Sequence, residues 1–101
     1  MVKHIVMWKL KESACGNTKE ENAKIIKEKL ESLKDKIPGI LKIEVGIDFS
    51  KTENSGDIVL YSEFNTKEDL ENYKVHPDHV AVASFVVEAV SERRVVDYVF
   101  D

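Results

Sequence analysis

Side chains able to move a proton near neutral pH cluster in one short run, Tyr73-Lys74-Val75-His76-Pro77-Asp78-His79. A neutral imidazole is a general base near pH 7, and a phenol can donate a hydrogen bond to a developing oxyanion. His79 shares a helical face with Val82, Ala83 and Val86, which points it inward. Tyr73 precedes the His76-Pro77 break, where a bend can bring its hydroxyl to the imidazole. Together they could remove a proton beside a carbonyl and steady the enolate. His4 shares a strand face with Val6 and Trp8 and can reach the same space. The candidate catalytic pair is Tyr73 and His79, and the candidate ligand contacts are His4, Val6, Trp8, Tyr73 and His79. A bland reading competes: a histidine on an apolar helix face is often just hydrogen-bonded in the core, and tyrosine packs well near helix ends.

Other reactive types carry less. His76 precedes a proline and reads as a helix cap. His76 and His79 form a His-x-x-His pair, but only His4 is on offer as a third ligand, so no metal site is expected. Arg93 and Arg94 could grip an anionic substrate. Ion pairs with Glu92 and Asp97 are the simpler expectation. Cys15 sits beside Gly16 in a loop with no evident basic partner to activate it. There is no phosphate-binding glycine loop, no Ser-His-Asp set and no dinucleotide fingerprint, so no cofactor is expected.

The elements that must position these groups follow from periodicity. Val2 to Leu10 alternates as a strand, with His4, Val6, Trp8 and Leu10 on one face and Lys3, Ile5, Met7 and Lys9 on the other. Ser13 to Thr18 reads as a loop, with Gly16 and Asn17 as turn formers. Thr18 and Glu21 suggest a capping box opening a helix to Lys36. Ala23, Ile26, Leu30, Leu33 and Ile37 form its apolar stripe, and Pro38-Gly39 ends it. Ile40 to Asp48 is a second strand, with Leu41, Ile43, Val45 and Ile47 on one face. Lys51 to Gly56 is a polar loop, and Asp57 to Phe64 is a third strand. Thr66 caps a short helix to about Tyr73, and Pro77 restarts a helix at its first position. Its valines also permit a strand over Ala81 to Val90, but the cap signals and length favour helix. Arg93 to Phe100 is the last strand.

The order β-α-β-β-α-β is the ferredoxin-like pattern: one α+β domain over residues 1–101, with helices on one face of a four-stranded antiparallel sheet. Both faces of the strands carry apolar residues, Ile5 and Met7 as well as Val6 and Trp8. A lone sheet would expose the second set, and packing two sheets together would bury it, so a homodimer is expected. The chain has 101 residues, is 43% hydrophobic and 34% charged, and carries a net charge of -4. That suits a globular domain, and the alternation of lysine with glutamate along Lys19 to Lys36 offers no basic patch for nucleic acid. No segment is apolar enough to span a membrane, the stretch Ile5 to Trp8 is too short for a signal-peptide core, and one cysteine suits a reducing compartment. A cytoplasmic location is the expectation.

The chain resembles the stress-responsive A/B barrel domain family, also called dimeric α/β barrel proteins. The matching pieces are Lys3-His4-Ile5-Val6, Ile37-Pro38-Gly39-Ile40, Gly46, Ser62-Glu63-Phe64, Tyr73 to Val80 and Arg94-Val95-Val96-Asp97-Tyr98. The Tyr-x-x-His-Pro-x-His-Val run is the most specific, and the resemblance spans nearly the whole length. It implies the ferredoxin-like fold and a dimer whose two sheets form a shared barrel. One plant branch contains a polyketide cyclase using aldol chemistry. Its tyrosine and second histidine correspond to Tyr73 and His79, and its first-strand histidine to His4. This chain has apolar Ile58 where that cyclase has a polar residue. Some plant relatives hold magnesium through carbonyls that correspond to Lys34, Ile37 and Ile40, at a helix end whose dipole favours a cation; water or a glycine cap is the simpler expectation there. Three functions follow as expectations: a module binding a small apolar or aromatic molecule, a cofactor-free cyclase or isomerase with His79 as base and Tyr73 as hydroxyl donor, and a dimer without ligand. The related cofactor-free monooxygenase barrels are a more distant alternative.

Overall fold

A computed structural model describes all 101 residues, Met1 to Asp101. Four strands form the main sheet: β1 (Val2–Leu10), β2 (Ile40–Ile47), β3 (Ile58–Phe64) and β4 (Val90–Val99). Three helices join them: α1 (Lys19–Glu31), α2 (Lys67–Val75) and α3 (Pro77–Ala89). The sheet order is β2-β3-β1-β4, and every pairing is antiparallel. This is the expected ferredoxin-like α+β fold.

Alternation along β1 decides which residues meet the helices. Val2, His4, Val6, Trp8 and Leu10 are buried, while Lys3, Ile5, Met7 and Lys9 are not. In β3 the buried row is Ile58, Leu60, Ser62 and Phe64. Cross-strand pairs Val6–Leu60 and Trp8–Ile58 put the two rows on one face. The α1 stripe, Ala23, Ile26 and Leu30, closes over them together with Leu33.

Local chemistry explains each helix start. Thr18 accepts from the Glu21 amide and the Glu21 carboxylate accepts from the Thr18 amide, completing the capping box. The hydrogen bond from Thr18 holds the Glu21 carboxyl below its usual range. Thr66 accepts from the Asp69 amide at the start of α2, and His76 Nδ1 accepts from the Asp78 amide at the start of α3, with Pro77 in the first turn.

Several expectations needed correction. The segment Ser13 to Thr18 is a tiny hairpin pairing Ser13 with Thr18 and Ala14 with Asn17. Its turn is Cys15-Gly16, both at positive φ (55° and 77°), the geometry of a tight two-residue hairpin. Asn22, which lies outside the apolar stripe of α1, is fully buried; it donates to the Ala14 carbonyl and accepts from the Asn17 side-chain amide, clamping hairpin to helix. The α-helical part of α1 stops at Glu31, and Ser32–Asp35 tightens into a 3-10 turn. The Ser32 hydroxyl donates to the Lys29 carbonyl at 2.7 Å, competing with the backbone ladder there. In β2, a register irregularity between Ile40 and Lys42 takes Leu41 out of the inward row and buries Ile40 instead. The last strand starts three residues earlier than expected, at Val90.

One sheet edge is protected. Beside β2, Lys27 donates to the Val45 carbonyl at 2.7 Å and Glu31 accepts from the Val45 amide at 3.0 Å. Lys27 and Glu31 are also paired with each other at 2.7 Å. Backbone groups that would otherwise template another strand are thus occupied by side chains. Burial raises the Glu31 pKa, but Lys27 and the Val45 amide together bring it below the usual carboxylate range.

The outer sheet face has no helix over it. Met7, Val96 and Tyr98 are exposed there, Met7 at 45% and Val96 at 59%. No helix of the protein is long and apolar enough to cross a membrane.

Candidate functional site

A cleft of about 260 Å³ lies between the sheet and the helices. Val6 and Trp8 of β1 and Leu60 of β3 form its floor. Leu30 of α1, Ala83, Val86 and Val87 of α3, and Val90 at the start of β4 form its apolar walls. Its polar groups are His4, Lys74, His79 and Arg93.

Two of these imidazoles are fixed in the same way. His4 Nδ1 lies 2.5 Å from Asp97 Oδ1, across the β1–β4 pair in which His4 and Asp97 are directly opposite. His79 Nδ1 lies 3.0 Å from the Lys74 carbonyl. Carboxylates and carbonyls only accept, so both rings carry their hydrogen on Nδ1. Nε2 makes no protein hydrogen bond in either ring, and each ring borders the cleft with Nε2 left for a ligand or a proton.

Lys74 links the two fixings. Its carbonyl holds His79, and its ammonium lies 3.8 Å from Asp97 Oδ2, the carboxylate that holds His4. Ser62 adds a brace, its hydroxyl donating to the His4 carbonyl at 2.9 Å. Burial holds the His79 pKa below its ordinary 6.5; the Lys74 carbonyl opposes this, while His4, Arg93 and His76 push the same way as burial. His79 is therefore a neutral imidazole at pH 7, suited to accept a proton.

Tyr73 sits under the two rings and away from the cleft surface. Its ring centroid is 4.4 Å from that of His79, 6.2 Å from that of His4 and 5.2 Å from that of Phe64. The side chain is fully buried, and its hydroxyl has no hydrogen-bond partner. Burial pushes the phenol well above its ordinary pKa, so it stays protonated. The sequence-predicted residues thus divide: His4, Val6, Trp8 and His79 border the cleft, and Tyr73 packs behind them.

The other candidates separate from the site. His76 caps α3 through Nδ1, and no group of three or more histidine, cysteine, aspartate or glutamate side chains gathers to hold a metal. At the end of α1 the Leu33 carbonyl accepts from both Lys36 and Ile37 amides, which satisfies part of the helix end. Cys15 is exposed at its hairpin tip with Sγ 3.7 Å from Glu88. The expected ion pairs of the two arginines form only in part. Arg94 pairs with Glu92 at 3.6 Å, whereas Asp97 goes to His4 and Lys74 and leaves Arg93 without a carboxylate.

Asp97 and Lys74 were missed as site residues. Asp97 stood in the sequence only as an ion-pair partner for arginine. Strand register, which puts it opposite His4, is the signal that finds it.

Fold and cleft together define a ferredoxin-like domain with a helix-covered, histidine-bearing pocket on one sheet face. The model of the stress responsive A/B barrel domain matches residues 2–100, and the chain belongs to that family. A dimeric Bacteroides fragilis protein of unknown function with a ferredoxin-like fold is 39% identical, with a TM-score of 0.87, covering 98% of this chain and 95% of its own. A family member from Mesorhizobium loti is 27% identical, with a TM-score of 0.73, covering 97% and 94%. Hydroxynitrile lyase from Passiflora edulis is 18% identical, with a TM-score of 0.83, covering 99% and 93%, a likeness of fold alone. No curated protein matches the chain.

Proposed function

We propose that this protein is a homodimer in which each protomer takes one small, largely apolar molecule into the cleft between α3 and the sheet. The observation that carries this reading is the cleft itself, mostly apolar and bordered by two imidazoles that keep Nε2 unbonded. Small-molecule sites have this make-up, an apolar lining with a few convergent polar groups. The dimer rests on the apolar outer face of the sheet and on the dimeric state given for the Bacteroides fragilis relative. NMR titration with aromatic ketones and alkylbenzenes tests the binding. Amide shifts at Val6, Trp8, Val86 and Val87 support it; no shift at millimolar ligand refutes it.

One observation favours a second reading, cofactor-free proton transfer. Two tautomer-fixed imidazoles face one apolar space, and a substrate carbonyl bound there would have a base on either side. In that reading His79 or His4 takes, on its free Nε2, a proton from the carbon beside the carbonyl, and the guanidinium of Arg93, which borders the cleft, steadies the enolate. Tyr73 keeps its protonated hydroxyl close by and orients the His79 ring by packing. Solvent deuterium exchange into a bound aryl ketone, lost in His79→Ala while the dimer persists, is the expected result. Exchange unchanged in both His4→Ala and His79→Ala would remove this reading and leave the binding one.

A further inference from the structure

We propose that the ligand of this cleft carries an anionic head, a carboxylate or its equivalent, and that Arg93 grips it. The inference rests on the cleft being a binding site and names the chemistry of what enters.

Strand register separates the two adjacent arginines. Arg93 lies opposite Trp8 on the cleft face, and Arg94 lies opposite Met7 on the outer face. Arg94 already has Glu92 at 3.6 Å. Arg93 has no carboxylate partner, although 19 acidic residues outnumber 15 basic ones in the chain. The other cation at the cleft, Lys74, is shared between Glu71 at 3.3 Å and Asp97 at 3.8 Å. No aspartate or glutamate borders the cleft. An anion entering it therefore meets one uncommitted guanidinium and no like charge.

The surroundings strengthen that pairing. A guanidinium fork matches the two oxygens of a carboxylate, and the exposed Arg93 offers that fork at the rim of the cleft. The net charge of -4 repels anions in general, so attraction must come from this local group. Arg93 lines the cleft together with His79. An apolar body would lie against Val6, Trp8 and Val86, with its head toward Arg93.

Calorimetry with a matched pair, 4-butylbenzoate and the neutral 4-butylbenzamide, at pH 7.5 tests this. The expected result is benzoate tighter than amide by roughly tenfold, the scale of one charge-assisted contact. Arg93→Gln should bring benzoate down to the amide's affinity and leave the amide unchanged. Arg93→Lys should recover part of the difference, and Arg94→Gln should change neither ligand. Equal affinity in the wild type, or loss of both ligands in Arg93→Gln, overturns the anion proposal while the cleft remains a binding site. If neither compound binds, the cleft reading falls and takes this inference with it.

Discussion

His4 Nδ1 and Asp97 Oδ1 stand 2.5 Å apart, joining residues 93 positions apart in the chain. The pairing depends on β1 and β4 being neighbours and on a register that sets these two residues opposite each other. It fixes the His4 tautomer and leaves Nε2 for the cleft. Asp97→Asn puts an amide beside the ring, and an amide nitrogen facing Nδ1 would favour hydrogen on Nε2 instead. Nitrogen-15 spectra of the His4 ring should show that tautomer change, with a stability loss of about 1–3 kcal/mol for the charge-assisted bond. An unchanged ring spectrum would mean that Asp97 does not set the tautomer.

Tyr73 makes an opposite kind of prediction. Its hydroxyl is buried without a partner, and such a group costs free energy. Tyr73→Phe should leave stability unchanged or raise it by up to about 1 kcal/mol in urea unfolding. A clear loss would place a hydrogen-bonded water or group on that hydroxyl.

Stability should depend on pH through His79. Burial lowers its folded pKa below the ordinary 6.5, so between the two values the unfolded chain binds more protons than the folded one. Stability is then full above about pH 6.5 and falls as pH drops through the window below it. His79→Gln should flatten this part of the pH profile in denaturant unfolding compared at pH 7.5 and pH 5.5. A wild-type profile that stays flat through this window would contradict it.

The outer sheet face should hold the dimer together. Met7 is 45% exposed in the protomer and faces away from the helices. Met7→Asp would place a charge within the apolar contact between two sheets, where its burial costs free energy. Sedimentation should show a monomer where the wild type is a dimer. A dimeric variant would move the interface elsewhere.

The fold was legible where a pattern repeats. Alternation in β1 placed His4, Val6 and Trp8 on one face, and the Thr18–Glu21 pair marked the start of α1. Apolar residues on both strand faces, Ile5 and Met7 as well as Val6 and Trp8, pointed to a dimer, and the family resemblance implied the same. What stayed hidden depends on three-dimensional register. The irregularity at Leu41 exchanges Ile40 for Leu41 in the buried row, and local alternation carries no trace of it. Asn22 lies off the apolar stripe of α1, and its burial comes from a hairpin that packs back on the helix. Asp97 and the uncommitted Arg93 became visible only when β4 was set beside β1. The depth of Tyr73 was hidden for the same reason: spacing places it near His79 but does not say which of them reaches the cleft.

Both functional readings require that a small molecule occupy this cleft. Ala83 borders it, and Ala83→Phe would fill much of its roughly 260 Å³ with a ring while leaving the outer sheet face untouched. Calorimetric titration of the wild type and this variant with 4-butylbenzamide is the most direct measurement. Binding by the wild type is expected, and none by a variant that is folded and still dimeric. Equal binding by both would place the ligand outside the cleft and overturn this reading.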